Sequence, residues 1–294
     1  MSLFLSQFIN GLQIGSIYAL VALGYTMVYG IVKLLNFAHG DIIMVGGYIA
    51  LFSLTAFHFP PVVAALLTVA GCTLLAIIIE KLAYKPLRNA PRLSLLITAI
   101  GISILLQNLA QIAFGAGGIG FPSHVMMPTG VIQMGGVIIS YVTLITIVVS
   151  VLSMIVLTIL VQKSKLGKAM RAVSEDMGAS QLMGINVNHV ITFTFAVGAA
   201  LAGIGAIMYS VQMPMIMPTI GALLGLRAFV AAVLGGIGSI PGTMIGGYII
   251  GIIEAMAAWQ GLNRWMDAVV FLILILVLLI RPAGIMGRNM MEKV

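Results

Sequence analysis

The chain alternates long uncharged apolar runs with short polar stretches, and within the runs apolar residues are continuous rather than every second one. Residues 1–32 carry no charge, and Lys33 ends the run. LLNFAHGD (34–41) follows, then an uncharged run over 42–79 that is interrupted by FHFPP at 57–61. Two prolines after an aromatic pair cannot continue a helix in register, so this run predicts two helices. Residues 93–162 contain no Asp, Glu, Lys or Arg, and GAGGIGFPSHVMMPTG (115–130) divides them into helices near 93–114 and 136–162. Beyond a polar island at 163–189, the pattern predicts a helix over about 190–210, a turn at MPMIMPTIG (213–221) and short helices near 222–237 and 242–258 that meet at GGIGSIPG. A last helix lies around 267–280.

Runs of this length match the ~20 residues needed to cross a hydrocarbon core of about 30 Å. In that medium every backbone polar group must be satisfied internally, and continuous apolar runs meet the requirement as helices. The expected fold is therefore all-α: one polytopic transmembrane helical bundle over 1–294 with about nine spans. The range is eight to ten, because the helices within 222–258 are short enough for one to be re-entrant. The uncharged stretch 268–280 covers only about 20 Å as a helix, so the last helix must extend past Asp267 or meet a thin bilayer.

Composition agrees with a life in lipid. Hydrophobic residues make up 61% and charged residues 7%, whereas a soluble domain is roughly one-quarter charged. The net charge of +7 follows the positive-inside bias rather than pointing to nucleic acid. Lys81, Lys85, Arg88 and Arg92 make 80–92 cytoplasmic, Lys163, Lys165, Lys168 and Arg171 do the same for the island, and Arg281, Arg288 and Lys293 for the C-terminus. Alternate crossings then place the N-terminus and the Gly/Pro loop outside, with Trp259 and Trp265 anchoring the outer interface. Residues 1–32 lack the basic start of a cleavable signal, and the lone Cys72 supports neither a disulfide framework nor a cysteine metal site.

The 34 glycines include GxxxG spacings at Gly11/Gly15, Gly242/Gly246 and Gly247/Gly251, the pattern of closely packed membrane helices. Met44-Val-Gly-Gly-Tyr-Ile is echoed by Met244-Ile-Gly-Gly-Tyr-Ile, each opening a helix that runs from inside to outside, as in a duplicated transporter. The 20 methionines read as packing rather than as a metal path.

Phosphate-loop, zinc-protease and serine-hydrolase motifs are lacking, so the chain reads as a non-enzyme whose work is powered by a partner or an ion gradient. The polar island favours the partner. Helix formers from Leu166 to Gly184, bounded by Gly167 and Gly184 with Gly178 between, predict two short helices at the membrane surface, and the small residues Gly178, Ala179 and Ser180 would let another protein approach closely.

GKAMRAVSEDMGASQLMGINV within this island resembles the cytoplasmic coupling segment of ABC-importer permeases of the branched-chain amino acid family, the LivH type. In that pattern a Glu-Ala-Ala triplet is followed three residues later by Gly; here the triplet position reads Gly178-Ala179-Ser180, with Gly184 and Ile185 after it. Arg171 and Glu175 belong to the same segment. NGLQIGSIYALVALGYTMVYGIVKLLNFAHGDIIMVGGY, GLRAFVAAVLGGIGSIPGTMIGG and RPAGIMG are similar to the family in the same order, so the resemblance spans nearly the whole chain. It implies a permease subunit in a bacterial inner membrane whose segment 163–188 docks on an ATPase. The implied partners are two ATPase subunits, a second homologous permease or a second copy of this chain, and a periplasmic or extracellular solute-binding protein. ATP and Mg would be bound by the ATPases, with no cofactor on this chain. The implied cargo is leucine, isoleucine, valine or a related neutral amino acid; relatives carry urea or short amides.

Polar side chains inside a membrane are costly and usually face a cavity or a partner. Asn36, His39, Asp41, Gln107, Asn108, Gln111 and Glu254 are accordingly the candidates to line the path. For Asp41 the competing role is to cap a helix starting at Ile42, with Lys33 close enough to neutralise it. Glu254 is as well suited to a salt bridge with Arg264 or Arg227 as to a substrate contact, and the three amides on 107–111 can bond across helices. A self-contained secondary transporter or channel is the alternative. It would need a charged relay across the membrane, whereas Asp41, Glu80 and Asp267 fall at helix ends.

Overall fold

The computed structural model describes residues 2–88, 90–134 and 137–287. Arg288 and Lys293, two of the expected C-terminal cytoplasmic charges, lie outside them. The helices are α1 (Ser2–Val32), α2 (His39–Thr55), α3 (Pro61–Ile79), α4 (Arg92–Phe114), a single turn α5 (Ser123–Met126), α6 (Tyr141–Lys163), α7 (Lys165–Glu175), α8 (Met177–Leu182), α9 (Val187–Gln212), α10 (Ile220–Gly235), α11 (Ile240–Trp259) and α12 (Met266–Ile280). Among the described residues, seven helical stretches are long and apolar enough to cross a membrane, and α2 and α10 are shorter apolar helices. The seven with these two shorter helices are compatible with the eight to ten spans expected.

Each break has a local cause. Pro61 stands at the first position of α3, where its missing N–H costs nothing. The last helix does extend past Asp267: α12 starts at Met266 and is preceded by a 3₁₀ turn at Asn263–Trp265. The expected helix from 136 instead begins at Tyr141. The β-branched residues ahead of it form a hairpin, β2 (Val131–Met134) against β3 (Val137–Ser140), and the Ser140 hydroxyl then caps α6 by accepting the Thr143 N–H at 3.0 Å. The all-α expectation thus gains two small sheets. The second pairs β1 (Ile119–Gly120) with β4 (Met215–Ile216), joining the two loops assigned to the outer face.

The opposite end gathers the other loops. Arg88 reaches Asn188, and the C-terminal tail bonds to the end of α10 through Ile285 N–H to the Leu234 carbonyl at 2.9 Å. Helix α10 therefore runs from one end of the bundle to the other rather than turning back.

The bundle is built around α1, which packs on α11, α9, α10 and α6, while α3 closes against α9 and α2. Glycine sets the α1–α11 spacing. A Cβ at Gly15 would stand 2.7 Å from the Tyr248 Cα, and one at Gly247 would stand 2.6 Å from the Ala19 nitrogen, both closer than side chains tolerate. The Gly11/Gly15 and Gly247/Gly251 spacings thus face each other, and Gly242/Gly246 face α10. A hydroxyl pair pins the seam, Thr26 and Thr243 lying 2.5 Å apart, and Thr143 of α6 donates to the Gln13 carboxamide oxygen of α1 at 2.7 Å. The echoed motifs open α2 and α11, both directed away from the end that carries the polar island.

Candidate functional site

The polar island folds as the two short helices α7 and α8. Ser164 caps α7 by accepting the Gly167 N–H at 2.8 Å. One face of α7, with Met170 and Val173, is buried against α6, α1 and α9, leaving Lys165, Lys168, Arg171 and Glu175 exposed. The Arg171 guanidinium donates to the Val161 carbonyl at 2.6 Å, which anchors α7 to the end of α6. The division between the helices falls at Asp176 rather than at Gly178. Its carboxylate accepts the Ala179 N–H at 2.9 Å, and a helix restarts where a carboxylate satisfies one of its free donors. Gly167 likewise lies within α7 rather than before it.

Gly184 ends α8 with φ +81°, while Ile185 N–H bonds back to the Ser180 carbonyl at 3.0 Å. A side chain would be strained in that left-handed cap. Of the expected contact residues, Gly178, Ala179 and Gly184 are exposed, Ile185 is half-buried, and Ser180 is turned inward. Its neighbours supply what the sequence argument missed: Leu182 is 90% and Met183 82% exposed. Two adjacent apolar side chains inside a polar island were the available signal.

Behind this platform lies a polar network that residue types alone did not single out. Beyond α3 the chain tightens into a π-helical turn, Glu80–Tyr84. Glu80 is fully buried; it pairs with Arg88 and accepts from Thr192 on α9 at 2.8 Å. Arg88 also holds Asn188, and Asn186 caps α9 through the His189 N–H at 3.2 Å. In the same turn Tyr84 donates to Asn36 at 2.8 Å. The π-helical turn thus carries two polar contacts, Glu80 with Arg88 toward the start of α9 and Tyr84 toward the linker between α1 and α2.

That linker carries the first candidate path residues. Asn36, His39 and Asp41 are all buried. Helix α2 starts at His39 rather than Ile42, with no side-chain cap. Asp41 therefore does not cap it: its Oδ1 accepts from Gln107 on α4 at 3.0 Å, and its Oδ2 is buried without a hydrogen-bond partner. His39 stands edge-on to Tyr25 with ring centroids 4.9 Å apart and is enclosed between α1 and its neighbours. Asn108 is exposed on α4 and returns a donor to the Ile104 carbonyl at 2.8 Å; Gln111 lies on the same helix, half-buried.

Glu254 belongs to a separate cluster. Tyr18 donates to its Oε2 at 2.6 Å, and Arg227, rather than Arg264, approaches its Oε1 at 3.5 Å. Arg227 also donates to Asp267 at 2.7 Å and to the Tyr18 hydroxyl at 3.1 Å. Tyr18, Arg227, Glu254 and Asp267 therefore tie α1, α10, α11 and α12 together. The arrangement gives Glu254 a cationic partner inside the bundle, one that Arg227 shares between Glu254 and Asp267.

Comparison with known proteins puts the whole chain in one context. The family model described as the permease component of branched-chain amino acid transport systems matches residues 7–279. The high-affinity branched-chain amino acid transport permease BraD of Pseudomonas aeruginosa is 44% identical, with 99% of this chain and 98% of that protein aligned. LivH of Escherichia coli, which carries the same description, is 42% identical over 99% of this chain and 98% of its own. A probable branched-chain amino acid transport permease of Methanocaldococcus jannaschii is 32% identical over 92% of this chain and 89% of its own.

Proposed function

Because this chain belongs to the family of branched-chain amino acid transport permeases, we propose that it is the membrane subunit of an ATP-driven importer for leucine, isoleucine, valine or related neutral amino acids, and that α7 and α8 couple it to the ATPase. It works in the bacterial inner membrane, with its N-terminus outside and the island at the cytoplasmic face. Two ATPase subunits bind ATP and Mg, a second permease or second copy completes the path, and a solute-binding protein delivers the cargo from outside. Hydrolysis resides in the ATPases, not in this chain.

The observation that carries the coupling role is the exposed Leu182–Met183 pair at the tip of α8, beside the uncovered backbone of Gly178 and Ala179. An apolar tip flanked by small residues, held up by a capped helix and backed by the Glu80–Arg88 network, suits insertion into a cleft of a soluble partner. Closure of the ATPases would push on α8, and α7 would pass the displacement to α6, α1 and α9, against which it packs. Transport of a zwitterion with an aliphatic side chain needs little fixed charge in the path, which agrees with the few charges here.

The test is Ala179→Glu together with Leu182→Asp, each in the membrane-extracted assembly. Both are expected to abolish co-purification of the ATPase chains and ATP-dependent leucine uptake, while the amount of chain in the membrane stays unchanged. Uptake that survives both substitutions would refute the coupling role. Recovery of the unmodified chain in mild detergent with no ATPase would remove the importer reading itself.

A further inference from the structure

Between the outer halves of α2 and α4 lies a cavity of about 420 Å³, lined among others by Val45, Tyr48, Phe52, Leu106, Ala110 and Phe114, within the size range of small-molecule sites. One wall is aromatic. The rings of Tyr48 and Phe114 stack with centroids 4.4 Å apart, and those of Phe52 and Phe114 lie 4.9 Å apart.

An apolar recess in a membrane protein would ordinarily suit an acyl chain, but two polar atoms argue otherwise. Tyr48 is 3% exposed and its hydroxyl has no hydrogen-bond partner. Asp41 lies on the same stripe of α2: 41, 45, 48 and 52 fall at the helical spacing that shares one face. Asp41 stands one turn inward of Val45, about 6 Å along the axis and just beyond the residues that line the cavity, with one carboxylate oxygen held by Gln107 and the other buried without a hydrogen-bond partner. Buried polar atoms left unpaired are costly, and an acyl chain satisfies neither of these.

Building on the importer function above, we propose that this cavity takes the aliphatic side chain of the transported amino acid, with the ammonium group directed inward to Asp41 and the Tyr48 hydroxyl available to the backbone carboxylate. The aromatic wall supplies flat apolar contact for a branched side chain, Ala110 sets the depth, and Asp41 provides the one negative charge a zwitterion's ammonium requires. The side chain would enter from the outer end, where Phe57 borders the cavity, the end at which the chain leaves α2 for α3.

The assembled importer in membrane vesicles tests this with radiolabelled leucine and alanine as probes. Ala110→Leu shortens the cavity, and the ratio of leucine to alanine uptake is expected to fall by roughly tenfold, the scale on which an apolar pocket discriminates methylene groups. Ala110→Gly deepens the same cavity, and the ratio is expected to move the other way. Opposed shifts cannot arise from misfolding, which lowers both uptakes together. Ratios that stay constant in both variants, or that move in the same direction, overturn the proposal and leave the cavity to lipid. Failure of the unmodified assembly to accumulate either amino acid would instead overturn the importer reading on which the proposal rests.

Discussion

Helices α1 and α4 are both apolar and of membrane-spanning length, yet one is the centre of the bundle and the other hangs at its edge. Most of the α1 span is buried, whereas only a small part of α4 is. Residue size separates them more than hydropathy does. Helix α1 brings Gly11 and Gly15 against Gly251 and Gly247 of α11, so that backbones meet; α4 brings Ile, Leu and three amides, and contacts the bundle chiefly along α2. Without a hydrophobic drive between helices in lipid, close packing of small residues decides which helices form the core. Amides on a lightly held helix mark where lipid is not the neighbour.

The sharpest way to break this contrast is to put the same bulk on both helix systems. Gly251→Leu drives a side chain into the backbone of Gly15. Because backbone rather than a flexible side chain must yield, the loss is expected to exceed the ~1–3 kcal/mol usual for overpacking, and the chain should no longer be recovered folded in detergent. At Gly101 on α4 an added Cβ meets nothing within 4 Å, so Gly101→Leu is expected to leave thermal stability unchanged. Equal tolerance of both would mean that the α1–α11 seam is not what holds the bundle.

A second test reaches the charges inside the core. Arg227→Leu leaves Glu254, which is 2% exposed, with Tyr18 alone, and removes the partner of Asp267. Breaking a buried pair on one side costs about 3–5 kcal/mol; since Arg227 retains some exposure, the lower end is expected. The double variant Arg227→Leu with Glu254→Leu should recover most of that loss, because no buried charge is then left unpaired. Denaturation of the purified chain checks both. A double variant as unstable as the single one would mean that the pair holds the helices by geometry rather than by charge balance.

Most of the fold was legible in the sequence, and the misses share a cause. Helix number and order follow from the uncharged runs, because lipid tolerates few alternatives to a helix. The GxxxG seams were legible for the same reason: glycine spacing is local. Sidedness of polar residues was not. Asp41 lay where a capping residue would lie, but whether it caps α2 or reaches Gln107 depends on α4, whose placement no local pattern encodes. Glu80 appeared as an ordinary charge at a helix end until the π turn folded it inward against Arg88 and Thr192. Leu182 and Met183 were legible in principle, as an apolar pair within a polar island. The Tyr48–Phe52–Phe114 cavity required two helices to be set side by side.

Smaller effects sharpen the account of α4. Gln107→Leu removes the bond to Asp41, and membrane hydrogen bonds of this kind average about 0.6 kcal/mol with a maximum near 1.7. A loss of roughly 1 kcal/mol in the purified chain is expected. A loss of several would mean that the bond to Asp41, and not apolar contact, attaches α4 to the bundle.

Asn108→Leu should change the stability of the purified chain least. Its carboxamide is exposed and returns one donor to its own helix at Ile104, so the isolated chain loses no contact between helices, and a shift within about 0.5 kcal/mol is expected. The remaining carboxamide donor and its carbonyl oxygen project where hydrocarbon would leave them unpaired. In the assembly that face of α4 would meet water in the path or the second permease, and leucine uptake is expected to fall several-fold while the chain remains as stable as before. Uptake unchanged alongside unchanged stability would place Asn108 against lipid, and the path would then follow the α2 side of α4, along Gln107 and Asp41, rather than its open face.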